Sequence, residues 1–379
     1  MKILLTIHHP LDPNLGAPGV TWRLGQEYIK YGHEVEFFSS DDVPKFLPDL
    51  AKGILFPVFV AFKIATLVKQ DRVDIIDAST ADSWVWVKWI QSFFKKRPLS
   101  VTRSHGLEHT VHLQLLQDVE LGKAKLSWKY PIYHGGFHLW EVATSIQLAD
   151  LVLCLNQHDL QYSIKNLRVP IERIRIVNNG ISNDLLGLPI EPLAEDSKIR
   201  IAHIGSYIRR KGIDYSVPAL SNILQRFPQV EVSFLGAMVP EDNVLTDFDP
   251  SLHDRIHVVP RYQNSDLPSL LVGHSIHLFP SLAEGGPLAI IEAMACGLAP
   301  ITSDIPGPTE VVKHDFDALV IPSRDVLAIE EAIIKLIENR DYLEKIRTNA
   351  YATAQSYSCS NIAKKNLDLY TYFLNSKKS

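Results

Sequence analysis

Short apolar runs alternate with longer segments of helical period along the whole chain, and this alternation constrains the fold more than any other feature. Strands that alternate with helices form parallel sheets covered by helices on both faces. The series of apolar runs occurs twice, which predicts an α/β protein with two Rossmann-like domains that face a cleft. The predicted strands are Ile3–Ile7, Glu34–Phe38, Val73–Asp77, Leu99–Arg103, Leu151–Leu155 and Ile174–Val177, then Ile199–Ile204, Glu231–Leu235, Ile256–Val259, Ile276–Phe279, Ala299–Thr302 and Ala318–Ile321.

The boundary between the two series is a stretch rich in Gly, Pro, Asn and acidic residues that has no steady period. The length of 379 residues agrees with two domains, since a domain takes about 150 residues. We predict an N-terminal domain over residues 1–187, a linker over 188–198 and a C-terminal domain over 199–357. A last helix within residues 358–379 is a candidate for packing back on the N-terminal domain.

Composition excludes several classes of protein. The net charge of −5 argues against a general nucleic-acid binder, which has a strongly basic face. Three cysteines without C-x-x-C spacing argue against a zinc ribbon and suit a reducing compartment. The most apolar segment, Ile54–Val68, is interrupted by Pro57 and Lys63 and falls short of the roughly 18 residues of a spanning helix. We therefore expect a cytoplasmic protein with no spanning helix.

The segment FPSLAEGGPLAIIEAMACG at residues 279–297 is the most informative motif. A strand ends near its start, a Gly-Gly turn follows, and Pro287 stands where a helix begins, because a proline loses no hydrogen bond there. We predict a helix over Leu288–Cys296 that ends at Gly297. Free N–H groups at its start would bind an anion, and the two glycines would let a phosphate approach the backbone. The N–H groups predicted to bind the anion are those of Gly286, Leu288 and Ala289, and the two glycines are Gly285 and Gly286.

Two carboxylates flank this predicted anion site. Glu284 precedes the turn, and Glu292 lies about one and a half turns into the helix. Carboxylates do not bind an anion, but they do bind hydroxyl groups attached to one. We expect sugar hydroxyls at Glu284 and ribose hydroxyls at Glu292. The alternative is a turn glutamate followed by an exposed helix glutamate with no ligand.

The spacing of these glutamates resembles the Glu-x7-Glu signature of retaining family 4 glycosyltransferases, which have the GT-B fold. Four further segments resemble that family in the right order. They are GAPGVTWRLGQEYIKYGHEV (16–35), ADLVLCLNQHD (149–159) followed by RIRIVNNGIS (173–182), IAHIGSYIRRKGID (201–214) and GPTEVVKHDFDALVIP (307–322).

The resemblance implies transfer of a sugar, with retention, from a nucleoside-diphosphate sugar to a glycan, lipid-linked or small-molecule acceptor, without metal or other cofactor. It implies catalytic roles for His105, Glu284 and Lys211. The implied donor-binding residues are Gly16, Gly19, Gly205, Ser206, Arg210, Lys211, Arg261, Glu284, Gly285, Gly286, Pro287, Leu288, Ala289 and Glu292.

The loop GSYIRRKG departs from the family pattern at one position. Ser206 stands where the family usually has an arginine, so one phosphate contact is missing. Our hypothesis is that Arg209 or Arg210 supplies that charge. The alternative is that both belong to a solvated basic loop.

Other chemistries are disfavoured. His105-x-x-Glu108-His109 spells an inverted zinc-peptidase motif, but that chemistry needs both histidines on one helix, and Gly106 disfavours a helix there. The pairs Asp247-Phe-Asp249 and Asp315-Phe-Asp317 imitate a metal motif but fall in predicted loops. An oxidoreductase would need a G-x-G-x-x-G turn after the first strand. A GT-B-fold epimerase and a non-catalytic nucleotide-sugar binder both stay open.

The segment WVWVKWIQSFFKKR at residues 84–97 has two interpretations. It lies between two predicted strands, where a core helix over Asp82–Phe94 is expected, and a buried aromatic stripe would have this composition. An amphipathic segment that contacts a membrane surface would have it too. We favour the core helix and keep peripheral membrane contact as the alternative.

Overall fold

The computed structural model describes residues 1–193 and 198–378, which form two compact units. Of the described residues, the first unit contains 1–180 and 359–378, and the second contains 181–193 and 198–358. The predicted domain boundary at residue 187 therefore lies too late in the chain. Ile181 pairs with Ser358, and Leu185 is buried in the core of the second unit, so residues 181–187 belong there. Residues 194–197 of the predicted linker lie outside the described residues.

The first unit contains a six-stranded sheet in which every pair of neighbours is parallel. The strand order is β2-β1-β3-β4-β5-β6. Its strands are β1 (Lys2–Ile7), β2 (Glu34–Ser39), β3 (Ile75–Ser79), β4 (Leu99–Arg103), β5 (Leu151–Cys154) and β6 (Ile174–Ile176).

The second unit contains another all-parallel sheet of six strands. The order is β12-β11-β10-β7-β8-β9, in which the first strand of the unit lies beside the fourth. Its strands are β7 (Ile199–Ile204), β8 (Val230–Leu235), β9 (Ile256–Val259), β10 (His274–Phe279), β11 (Ala299–Ser303) and β12 (Leu319–Ile321). The α/β class with two Rossmann-like units is confirmed.

Thirteen α-helices connect and cover the strands of the described chain. They are α1 (Gly16–Lys30), α2 (Asp49–Lys69), α3 (Glu108–Glu120), α4 (His138–Leu148), α5 (Gln157–Lys165), α6 (Ile213–Arg226), α7 (Glu241–Leu245), α8 (Leu267–Leu270), α9 (Leu288–Ala295), α10 (Pro308–Val311), α11 (Val326–Glu338), α12 (Arg340–Ala354) and α13 (Cys359–Lys378). The last of these belongs to the first unit, where it packs on α1.

The helix expected over Asp82–Phe94 is not a regular α-helix. A π-helical turn at Trp86–Ile90 runs into a 3₁₀ turn at Gln91–Phe93. Trp84 and Trp86 are buried in the core, as the core interpretation requires, whereas Trp89 is 54% exposed. The segment therefore contributes both to the core and to the surface.

The helix α2 is longer than the sequence suggested, because Pro57 does not interrupt it. A proline inside a helix removes one N–H donor, but it ends the helix only where packing does not hold the turn. Here Phe56, Val60 and Ile64 are fully buried in the core. By length and composition alone, α2 is apolar enough to cross a membrane, and a third of its most apolar 18-residue window is buried.

A buried polar network joins the last helix to the sheet of the first unit. Arg103 on β4 forms an ion pair with Asp77 on β3, with 2.7 Å between Nη2 and Oδ2. The Tyr370 hydroxyl on α13 donates to Asp77 and lies 3.0 Å from Arg103 Nη2, which donates to it. The Tyr28 hydroxyl on α1 lies 3.2 Å from the Tyr370 hydroxyl. The Tyr370 hydroxyl thus connects α13 to a buried ion pair of this sheet.

Candidate active site

In an open α/β sheet, ligands bind beyond the carboxyl ends of the strands, at the point where the strand order reverses. In the second unit the chain winds from β7 outward through β8 and β9, and from β10 outward through β11 and β12. The reversal therefore lies between β7 and β10. The loop after β7 carries Lys211, and the loop after β10 carries Glu284.

These two loops approach each other closely. Gly212 has a φ of +81°, and a Cβ atom built there would lie 2.0 Å from the Pro280 carbonyl oxygen. The Leu282 N–H donates to the Arg210 carbonyl at 2.8 Å. Position 212 therefore requires glycine for two reasons. Its backbone is left-handed, and a side chain would prevent the close contact between the two backbones.

Lys211 and Glu284 form an ion pair, with 2.7 Å between Nζ and Oε1. Their side chains are only 13% and 9% exposed, so little water screens the pair. Arg210 Nη1 lies 3.6 Å from the same carboxylate oxygen and donates to the Ala283 carbonyl at 3.0 Å. Arg209 instead pairs with Asp214 at 2.8 Å. Of the two arginines expected to replace the charge missing at Ser206, Arg210 is therefore the one beside Glu284.

The Gly-Gly turn follows Glu284 directly. A Cβ at Gly307 would lie 2.7 Å from the Gly285 carbonyl oxygen, so the segment before α10 lies tightly against this turn. The helix α9 begins at Leu288 after Pro287, as predicted, and ends at Ala295 rather than Cys296. The Leu288 N–H, which was expected to be free, donates to the Gly286 carbonyl at 3.0 Å.

Glu292 lies on α9 and is buried, with 7% exposure, so the interpretation as an exposed helix glutamate is wrong. Burial and the charge of Glu292 raise the pKa of Cys296 to about 12. The same two causes raise the pKa of Tyr262, whose ring packs against Gly236, where a Cβ would meet it at 3.1 Å. Arg261, the neighbour of Tyr262, is exposed.

Two histidines beneath the loop after β7 were not singled out from the sequence. His203 on β7 and His277 on β10 are fully buried. Burial, together with the nearby charge of Lys211, lowers the pKa of His203 to about 4 and that of His277 to about 3. Both histidines are therefore neutral near pH 7, and the positive charge beside Glu284 comes from Lys211 and Arg210. Their position inside apolar strands gave no signal that distinguished them from other core residues.

Three predicted site residues belong to the first unit. Gly16 begins α1, and Gly19 lies on the same helix, where a Cβ would lie 2.6 Å from the Pro13 carbonyl oxygen. His105 follows β4, and neither ring nitrogen has a partner among the described residues. Burial, then the charge of Arg103, lowers the pKa of His105 to about 3, so its ring is neutral.

The zinc-peptidase alternative does not match the geometry. Helix α3 begins at Glu108, so His105 lies outside it and cannot pair with His109 on one helical face. The first residues of the two Asp-Phe-Asp pairs are occupied: Asp247 accepts from the Tyr207 hydroxyl, and Asp315 pairs with Lys335. Within residues 1–193 and 198–378, no group of three or more metal-ligating side chains is close enough to hold an ion.

Both halves of the chain match known families. Residues 16–185 match the family model described as Glycosyltransferase Family 4, and residues 189–353 match the model described as Glycosyl transferases group 1. An Escherichia coli protein named UDP-Gal:alpha-D-GlcNAc-diphosphoundecaprenol alpha-1,3-galactosyltransferase is 23% identical over 307 residues, which is 78% of this chain and 75% of the relative.

Two solved structures have the same fold. Sucrose-phosphate synthase from Thermosynechococcus elongatus superposes with a TM-score of 0.79 at 19% identity, over 99% of both chains. HepE from Anabaena, solved in complex with UDP-glucose, superposes with a TM-score of 0.70 at 19% identity, over 98% of this chain and 100% of the other.

Proposed function

Because the chain belongs to the family 4 glycosyltransferases, we propose that it transfers a sugar from a nucleoside-diphosphate sugar to a hydroxyl acceptor with retention of anomeric configuration. The observation that carries the donor assignment is the Lys211–Glu284 pair at the point where the strand order of the second unit reverses. A shielded cation beside a glycine turn suits a diphosphate, and a carboxylate at the same point suits a sugar hydroxyl.

The proposed roles follow from charge and position. Lys211, Arg210 and the start of α9 bind the diphosphate, since all present positive charge at one edge of the sheet. Glu284 binds sugar hydroxyls, and Glu292 binds the ribose. The base lies against the chain near Arg261.

The chemical step needs stabilisation of the diphosphate as it leaves. Lys211 and the N-terminus of α9 would supply it, because fixed charges and dipoles aimed at a developing anion lower its barrier without reorganisation. No carboxylate is proposed as a covalent nucleophile. We propose no metal or other cofactor, since the side chains of Lys211 and Arg210 already supply the positive charge.

The relatives suggest the class of each substrate. The HepE structure contains UDP-glucose, and the name of the E. coli relative specifies UDP-galactose, so we propose a UDP-sugar donor. That name also specifies an acceptor linked to a lipid diphosphate. We therefore propose a glycan or lipid-linked acceptor, and a place in polysaccharide or glycolipid synthesis at the cytoplasmic face of a membrane.

An aromatic and basic surface supports peripheral membrane contact as part of this proposal. Trp89 and Trp140 lie against the buried Trp84 ring, with centroids 5.3 and 5.1 Å away, and both are more than a third exposed. Phe93 is 83% exposed. Residues 84–97 contain four basic and no acidic residues. Exposed aromatic rings beside lysines are typical of a surface that meets anionic lipid.

A thermal-shift panel of UDP, GDP, ADP and their common sugars tests the donor assignment. A ligand at 100 times its dissociation constant adds about 2.7 kcal/mol to the free energy of unfolding, so a true donor is easily detected. Product analysis by NMR of the anomeric proton then tests transfer and retention. Absence of any shift, an inverted product, or an epimerised sugar nucleotide as the only product would contradict the proposal.

A further inference from the structure

Helix α2 is apolar on all sides, but the first unit covers only one of them. The face that carries Phe56 is buried in the core. On the rest of the helix, Leu50 and Phe62 are each 67% exposed, and Ile54 and Leu55 are each more than a third exposed. A helix that is apolar all round is normally enclosed by protein or by lipid. The uncovered face of α2 therefore requires a partner.

The exposed apolar side chains of α2 form a continuous stripe. Leu50, Ile54, Val58 and Phe62 follow one another at intervals of four residues, which places successive members side by side along the helix. Val58 is half-buried, and Phe46, just before the helix, is 84% exposed. Single exposed apolar residues are ordinary on a protein surface, whereas a contiguous row marks a contact surface.

The charge around this stripe indicates which partner fits it. Residues 45–69 contain four lysines and one acidic residue, although the chain as a whole has a net charge of −5. Lys45 and Lys69, at the two ends of the stripe, are exposed. In a symmetric dimer the same face of two copies would meet, so the lysines of one copy would face those of the other. Like charges oppose such a contact, whereas an anionic lipid surface attracts it.

The stripe adjoins the surface already proposed to contact a membrane. Helix α2 packs on the turn Trp86–Ile90, and Phe56 shares one core cluster with Trp86 and Val87. Segment 84–97, with the exposed Phe93, therefore lies beside α2 within the same unit. Both surfaces are basic and apolar, so one bilayer can meet both of them.

The packing of α2 excludes a spanning orientation. The Phe56 ring lies 5.6 Å, between centroids, from the ring of Phe38 on β2, and Lys63 forms an ion pair with Glu36 on the same strand. A helix that keeps one long face on a protein core cannot be surrounded by lipid. Apolar residues flanked by lysines are instead typical of a helix that lies in the plane of the membrane surface.

Resting on the proposed function for its membrane partner, we infer that α2 is an in-plane membrane anchor. Its exposed apolar side chains insert among the acyl chains of an anionic bilayer, and its lysines lie at the headgroups. The inserted residues are Leu50, Ile54, Leu55 and Phe62.

The variants Leu50→Gln and Phe62→Gln test the inference by flotation with vesicles of equal parts phosphatidylglycerol and phosphatidylcholine. Glutamine keeps the helix propensity of the segment, so the change acts on the surface. We expect each variant to bind vesicles roughly 10-fold more weakly, because each removes one large inserted side chain. The control is Leu327→Gln on α11, since Leu327 is also 67% exposed and should have no effect.

Two further measurements separate insertion from a structural effect. The thermal midpoint of each variant should equal that of the wild type, and if Phe62→Gln lowers it, Leu50→Gln in the first turn of α2 decides. Vesicles of phosphatidylcholine alone, or high salt with the mixed vesicles, should weaken binding of the wild type, because the lysines then lose their anionic partner or are screened from it.

Each other outcome has a distinct meaning. A wild type that does not float overturns this inference and the proposed membrane contact, and it leaves the donor assignment to its own test, because flotation needs no donor. Flotation that Phe93→Ser reduces but neither α2 variant reduces overturns only the inference. An equal loss in Leu327→Gln, or equal binding to phosphatidylcholine alone, overturns it too. A wild-type dimer in sedimentation velocity that Phe62→Gln dissociates would show that a second copy covers α2 instead.

Discussion

Glu284 should oppose the binding of free UDP even though it belongs to the donor site. A phosphate oxygen about 2.8 Å from Lys211 Nζ would be at most roughly 5.5 Å from Glu284 Oε1, given the charge-assisted bond length and the 2.7 Å pair. At that distance two unit charges repel by about 3 kcal/mol at an effective dielectric constant of about 20. Removing the charge in Glu284→Gln should therefore strengthen UDP binding.

Partial screening by solvent reduces this repulsion, so we expect a gain of about 1–2 kcal/mol, or roughly 5- to 30-fold in Kd. Isothermal titration with UDP measures it. Sugar transfer should fall in the same variant, because an amide binds the sugar hydroxyls less strongly than a carboxylate does. Tighter UDP binding with slower transfer is a combination that a misfolded variant would not show.

Glu231→Gln is the matched control. Glu231 lies near the start of β8, at the opposite end of the sheet, and pairs with Lys198 at 2.6 Å and Arg200 at 2.8 Å. The Glu231→Gln substitution removes an equally well-formed ion pair, yet this substitution should leave the Kd for UDP unchanged. Equal or weaker UDP binding in Glu284→Gln would refute the reasoning, because the diphosphate could not then lie beside Lys211.

Three further predictions concern stability and membrane contact. Tyr370→Phe should lower the free energy of unfolding by about 2–3 kcal/mol, since the Tyr370 hydroxyl bonds to two buried charges. The control Tyr372→Phe alters an exposed tyrosine and should change the free energy of unfolding little; urea denaturation measures both. Gly212→Ala should lower the thermal midpoint well beyond Gly187→Ala, because both glycines have positive φ but only Gly212 has no room for a Cβ. Phe93→Ser should reduce flotation with phosphatidylglycerol vesicles, without changing the Kd for UDP, and equal flotation would contradict the proposed membrane contact.

The strands were predictable because each is an apolar run bounded by polar or glycine residues, and all twelve predicted strands coincide or overlap with an observed one. The prediction for β3 ended two residues early. Ser79 is polar but fully within the buried sheet, where its hydroxyl donates to the Thr6 carbonyl at 3.2 Å. Periodicity shows which residues are apolar, and it cannot show which polar side chains find a partner across the sheet.

The charged pairs were the part that sequence could not reveal. Glu284 was singled out by its motif and Lys211 by its loop, but their contact joins residues 73 positions apart. His8 and Asp82, whose side chains pair at 2.9 Å in the first unit, are 74 positions apart and belong to no motif that was recognised. Such contacts depend on which two strands become neighbours, and strand order is set by the packing of the whole unit rather than by any local segment.

The two units share one topological feature, an ion pair at the point where the strand order reverses. The strand order reverses between β1 and β3 in the first sheet and between β7 and β10 in the second. At each reversal a basic and an acidic side chain lie together. In the second unit the basic partner is Lys211, which remains protonated at neutral pH and can therefore bind an anionic ligand. In the first unit it is a histidine held by a buried aspartate, whose carboxylate raises the pKa of the histidine. A permanent cation suits a diphosphate leaving group.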